Sequence, residues 1–227
     1  MIKFVTFDCY DTLVAYTAGK HAAIRAIVVE KGAAEKGGDA AQAEAVIAAT
    51  EAREHALLNA PDFKLLSVVL RESLEAALTG AGLPYAPDDG ARLIQAVKDA
   101  RPFDDVAPAL ERLRTKYKTA ILSNSERAMM QHNRTRLGVP FDEAVLADEV
   151  GAYKPDPRMF AALLDRCGCT KDEIVHVAQG FYHDIMPCHA LGIRRVWINR
   201  NRLAGDKAHG PYEEFPDLSA VPGLLGV

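Results

Sequence analysis

The chain has 227 residues, 49% of them hydrophobic and 26% charged, with a formal net charge of −4. That length can bury roughly 70 to 75% of the unfolded surface in one or two domains, and the mildly acidic balance excludes nucleic acid or an anionic membrane as the expected main partner. No apolar run approaches a membrane span, and the short apolar run before Asp8 is too brief for a signal peptide, so a cytosolic chain is expected.

Residues Ile2 to Phe7 read as a short buried strand that stops at Asp8. In open parallel sheets, ligands bind at the carboxyl ends of strands, which makes Asp8 a candidate for chemistry. An Asp after a strand also serves as a turn former or helix cap, and one stretch alone does not separate the two readings. For about eighty residues the periodicity then becomes helical, over Lys20–Glu30, Ala40–Leu58, Leu65–Leu78 and about Asp88–Lys98, with Pro61-Asp62 expected to open the third helix. An all-helical insertion of this size suits a cap over a site, giving a cap domain over 15–98 and a core over 1–14 and 99–227.

From Arg101 onward helices and strands alternate. Helices are expected at Val106–Tyr117, Glu126–Leu137, Pro157–Leu164 and Asp184–Leu191, and strands at Thr119–Leu122, Phe141–Leu146, Ile174–Ala178 and Arg195–Ile198, before a weak final helix at Leu218–Leu225. The alternation predicts an α/β, Rossmann-like, doubly wound parallel sheet with an inserted all-helical cap domain. The four cysteines fit neither a disulfide scaffold nor a metal finger, and Cys9 reads as a wall residue. Several strand ends carry polar groups: Asp8 and Thr12, Ser123-Asn124-Ser125, Lys154 in the turn after the third strand, and Gln179-Gly180 with Asp184. Their convergence on one sheet edge is harder to dismiss than any one of them.

With those residues in view, the sequence resembles the haloacid dehalogenase superfamily, and within it the type II L-2-haloacid dehalogenases, over nearly its whole length. The matching motifs are Asp8-Cys9-Tyr10-Asp11-Thr12-Leu13, Ile121-Leu122-Ser123-Asn124, Tyr153-Lys154-Pro155-Asp156 and Asp184. Phosphatases of this superfamily place a second Asp two residues after the nucleophile; here Tyr10 stands there, and Asp11 is one place late. With Lys154 expected beside Asp8 and Asp184, a metal-free, cofactor-free site is inferred.

The resemblance implies that Asp8 displaces halide from a 2-haloalkanoate, that Lys154 compensates its charge, and that Asp184 holds Lys154 and orients water. It further implies that Thr12, Ser123 and Asn124 bind carboxylate or halide, that Tyr10 walls the pocket, and that the molecule is a homodimer. Departures from the family pattern fall on the substrate side. The family's cap arginine is missing, with Arg53 the nearest substitute, a site tyrosine is Phe160, and the fourth loop is one residue longer. His183 is a possible base or a bystander. Rival readings are a hydrolase of another small 2-substituted carboxylate such as azetidine-2-carboxylate, a magnesium-dependent phosphatase recruiting Asp11, and a non-catalytic binding protein.

Overall fold

The computed structural model describes residues 1–35 and 40–227. Six strands form its sheet: β1 (Phe4–Phe7), β2 (Lys118–Ser123), β3 (Glu143–Leu146), β4 (Ile174–Ala178), β5 (Arg194–Ile198) and β6 (Glu213–Phe215). They lie in the order β3-β2-β1-β4-β5-β6, every pair parallel. The central strands β1, β2 and β4 are apolar runs without alternation because both faces of the sheet are covered. The order reverses at β1, so Asp8 leaves the sheet at the topological switch point, where such folds open a crevice. Strand β6 is not expected from the sequence; three residues, two of them glutamates, carry too little apolar signal.

Between β1 and β2 come the helices α1 (Tyr16–Glu35), α2 (Ala40–Leu58), α3 (Leu66–Gly80) and α4 (Pro87–Lys98). They share a core that includes Ile24, Ile27, Val46, Leu70, Leu74 and Leu93. The chain leaves and re-enters the sheet layer through two adjacent connections, where Ala15 N donates to Arg101 O at 2.8 Å and Phe103 N to Leu13 O at 3.1 Å. Pro61-Asp62 does not open α3; residues 59–65 form a turn, and α3 starts at Leu66. Two groups outside the insertion clamp that start: Glu126 accepts from Ser67 N at 2.9 Å, and Tyr153 donates its hydroxyl to Lys64 O at 2.7 Å. Leu65 has no capping side chain of its own, so a distant glutamate satisfies an orphan donor of the first turn.

The sheet is flanked by α5 (Val106–Arg114), α6 (Arg127–Leu137), α7 (Ala147–Val150), α8 (Pro157–Cys167), α9 (Met186–Leu191) and α10 (Val221–Leu224). One face packs Val5, Phe7, Leu110, Leu113 and Val175 together, and the other packs Phe4, Leu122, Met159, Phe160 and Ile174. No helix among the described residues is long and apolar enough to cross a membrane.

Candidate active site

The residues that end β1, β2 and β4 meet the turn before α8 around a buried ammonium. Lys154 Nζ donates to Asp8 Oδ1 at 2.8 Å, to Asp184 Oδ1 at 2.7 Å and to Leu122 O at 3.0 Å. These three bonds use its whole donor capacity. Burial works against its charge, yet the carboxylates of Asp184 and Asp8 outweigh burial and raise its pKa above the ordinary lysine value. Thr12 donates to Asp8 Oδ2 at 2.6 Å and accepts from Gln179 N at 2.8 Å, so both oxygens of Asp8 are held. Asn124 fixes the lysine from behind, accepting from Lys154 N at 2.6 Å and donating to Lys154 O at 3.1 Å. Burial pushes the neighbouring Cys9 thiol up, leaving it a neutral wall.

Asp184 sits in a π-helical turn, Phe181–Ile185, where Gly180 O accepts from Asp184 N at 2.9 Å and from Ile185 N at 3.2 Å. A turn of this kind absorbs one extra residue inside an otherwise regular helix start. Burial pushes the Asp184 carboxyl up, but the Lys154 charge and a hydrogen bond from His176 prevail and hold it below the usual carboxylate value. The loop is anchored by Trp197, whose indole donates to Gln179 O at 2.9 Å. A Cβ on Gly180 would stand 2.5 Å from Asp184 Oδ2. Because Asp184 is short and tied at its other oxygen, Gly180→Ala is expected to lower kcat by about 10-fold or more while the fold persists, as steady-state assays beside a thermal melt would register.

Above this network lies a cavity of about 180 Å³ lined by Asp8, Tyr10, Asn124, Lys154, His183 and Asp184, with Tyr16, Glu54, Leu58 and Leu66 closing it from the helical insertion. Tyr10 stacks on Tyr16 with ring centroids 4.4 Å apart, and its hydroxyl meets Ser125 Oγ at 2.7 Å. Glu54 accepts from Tyr16 at 2.8 Å and from Lys20 at 2.7 Å. Burial is the main cause that lowers the pKa of His183, favouring the neutral imidazole.

The structure corrects three of the expected positions. Arg53 is exposed on α2 and takes no part in the cavity wall. Its neighbour Glu54, about 100° further round the helix, faces the site instead. Phe160 is fully buried behind the site, its ring edge against the His176 imidazole at 5.8 Å, and lines no part of the cavity. Ser123 is likewise buried, outside the cavity wall, and its hydroxyl has no hydrogen-bond partner.

Sequence reasoning misses Tyr16, Glu54 and His176. The signal for Glu54 is a charge in the series Val46, Thr50, Glu54 and Leu57 on the buried face of α2, and that for His176 is one imidazole inside an apolar strand.

Between the Asp8 and Asp184 carboxylates stands the Lys154 ammonium, where a divalent ion would need further oxygen ligands. No cluster of His, Cys, Asp and Glu among the described residues is arranged to hold a metal ion. Asp11, in the left-handed region at φ 59°, accepts from Thr17 N at 3.0 Å and Thr17 Oγ1 at 2.5 Å, which ties it to the first turn of α1. Asp11→Ala is therefore expected to cost about 1 to 2 kcal/mol of stability through the lost cap. Denaturant melts of the two proteins would read that loss.

A family profile described as haloacid dehalogenase-like hydrolase matches residues 2–192. The chain is 30% identical over 158 residues to (S)-2-haloacid dehalogenase 1 of Pseudomonas sp. (strain CBS-3), a match that covers 68% of this chain and 69% of that protein. It is 32% identical over 112 residues to a glyceraldehyde 3-phosphate phosphatase of Methanothermobacter thermautotrophicus, where the match spans 48% of this chain and half of that protein's length. Among solved structures, a dehalogenase superposes with a TM-score of 0.83 at 26% identity over 100% of this chain and 98% of that one. The L-2-haloacid dehalogenase from Xanthobacter autotrophicus with chloropropionic acid covalently bound shares the fold, with a TM-score of 0.81 at 22% identity over 99% and 98% of the two chains.

Proposed function

This chain belongs to the haloacid dehalogenase-like hydrolase family, and we propose that within it the protein is an (S)-2-haloacid dehalogenase that works through an ester on Asp8. The observation that carries this reading is the immediate surroundings of Asp8: an ammonium on one oxygen, a threonine hydroxyl on the other, and Tyr10 at the position two residues on. Halide leaves as an anion and needs no proton, so a positioned carboxylate suffices.

An Asp8 oxygen attacks C2 of a short 2-haloalkanoate from the side opposite the halogen. The C2–halogen bond breaks, its electron pair departs with the halide, and C2 is inverted. Water then adds to the Asp8 carbonyl carbon while Asp184 takes its proton. Collapse of that adduct expels the C2 oxygen, which recovers the proton and leaves as a 2-hydroxy acid. Asp8 is restored as a carboxylate, with one oxygen from water, once the second proton of that water passes to solvent. Holding carboxylate and C2 in line supplies up to roughly 7 to 11 kcal/mol of the barrier.

Thr12 and Asn124 are engaged with Asp8 and Lys154 and Ser123 is buried outside the cavity wall, so in this reading Tyr10 and the Gln179-Gly180 loop, which do line the cavity, face the substrate carboxylate or the halide. Tyr10, Tyr16 and the insertion, acting as a cap over residues 15–98, exclude water during the first step. A cytosolic homodimer belongs to the same reading by resemblance; a monomer mass in light scattering would remove the second part.

The test is chloride release from L- and D-2-chloropropionate with and without EDTA. Release from the L-isomer alone, unaffected by EDTA, supports the proposal; no release from either, with magnesium-dependent phosphate release from small esters, overturns it. A second reading, ring opening of a cyclic 2-amino acid such as azetidine-2-carboxylate, is favoured by one feature. Glu54 presents a carboxylate from the cap, and Lys154, the one lysine or arginine on the cavity wall among the described residues, has all its donors engaged. Product formation from azetidine-2-carboxylate without activity on 2-chloropropionate would select that reading.

A further inference from the structure

A second buried chain of hydrogen bonds runs into the site from the adjacent strands β1 and β4. His176, in the middle of β4, is fully buried; its Nε2 lies 2.9 Å from Asp184 Oδ1 and its Nδ1 lies 2.8 Å from Thr6 Oγ1 on β1. An ionised carboxylate can only accept, so Nε2 donates to Asp184, while Nδ1 is held by the Thr6 hydroxyl, which also reaches Val175 O at 3.4 Å. Phe160 packs edge-on against the imidazole and keeps the pair dry. A histidine in a strand buried on both faces is costly unless both nitrogens are bonded, and here both are.

The consequence falls on Asp184. Its Oδ1 takes two hydrogens, from Lys154 at 2.7 Å and from His176 at 2.9 Å. Charge compensation by Lys154 needs only the first. Two donors converging on one oxygen fix the carboxylate torsion, and Oδ2, which lies against Gly180, is left for another donor.

We propose that His176 is a positioning residue for the second half-reaction: held by Thr6, it locks Asp184 so that Oδ2 receives the proton of the water that cleaves the Asp8 ester. This rests on the aspartyl-ester reading. Formation of the ester, which needs only Asp8, Thr12 and Lys154, does not depend on His176.

The test separates the two half-reactions in full-length His176→Phe and His176→Gln proteins, with wild type as reference and 2-chloropropionate as substrate. Phe fills the space beside Phe160 without a donor, whereas Gln returns an N–H near the Nε2 position. In His176→Phe, rapid mixing is expected to give a chloride burst of wild-type rate and about one equivalent. Steady-state kcat should fall about 100-fold, the low end of what a lost proton acceptor costs. Mass spectrometry should find the ester on the peptide carrying Asp8, and Gln should recover most of the loss.

Removing one of the donors that hold Asp184 ionised should also move the acid limb of kcat to higher pH. Lys154, Asp8, His183 and Cys188 would remain the charged and titratable neighbours of that carboxylate. Equal loss of burst rate and kcat in a folded His176→Phe protein, or a kcat unchanged in both variants, would overturn the proposal. Chloride release by His176→Phe with no ester found on the Asp8 peptide would instead sink the ester reading itself.

Discussion

Asp8→Asn is expected to abolish turnover, by about 10⁴-fold or more, a loss comparable with removal of a nucleophile elsewhere. An amide nitrogen has no lone pair to offer, and the amide oxygen lacks the charge that drives attack on C2. The fold should survive, because the substituted amide can still accept from Lys154 or Thr12, and Lys154 keeps Asp184 as its counterion. Halide assays with 2-chloropropionate, beside a thermal melt, would read both quantities. Turnover within 10-fold of wild type would remove Asp8 from the chemistry.

Lys154→Met should be the most damaging change for both activity and stability. Wild type buries two carboxylates around one ammonium. Without it, two like charges remain in a dry site, and losing one partner of a buried ion pair costs about 3 to 5 kcal/mol.

The pH dependence should reverse in sign. In wild type Asp184 is held below the usual carboxylate value, so its contribution to stability is present above the unfolded-state pKa and is lost as pH falls through the lower folded-state pKa. In Lys154→Met, burial and the Asp8 charge raise one folded-state pKa above the unfolded value, so the folded form holds a proton that the unfolded form has released, and stability falls as pH rises. Urea melts at pH 5 and pH 8 should therefore place the variant further below wild type at the higher pH. A gap that is equal at both values would count against the shared-ammonium arrangement.

The parallel sheet could be read from the chain because its central strands β1, β2 and β4 are largely apolar runs bounded by polar residues, and the bond-forming side chains sit next to those boundaries. Asp8, Thr12, Asn124, Lys154 and Asp184 belong to that set, and the folded chain brings them within hydrogen-bond reach of one another. The side of the site supplied by the helical insertion was harder to read for a geometric reason. One residue of helix rotates a side chain from solvent to cavity, so Arg53 and Glu54 exchange roles on a boundary of a single position. His176 hid for the opposite reason, since a strand with both faces buried offers no alternation against which a polar residue stands out. The π turn at Phe181–Ile185 could be anticipated as an extra residue but not as a conformation, because its register is set by Gly180 and the docking of Asp184 on Lys154. Asp11, one place from the acid position of phosphatases, is a helix-start ligand through its contacts to Thr17.

The central claim is that the oxygen placed on C2 comes from Asp8, and a single turnover in H₂¹⁸O with enzyme in excess tests it most directly. If the ester forms, the first 2-hydroxy acid released carries ordinary oxygen at C2 and the label appears in the Asp8 side chain, found by mass spectrometry of the Asp8 peptide. If water attacks C2 itself, the label appears in the product and Asp8 remains unlabelled, which would contradict the account.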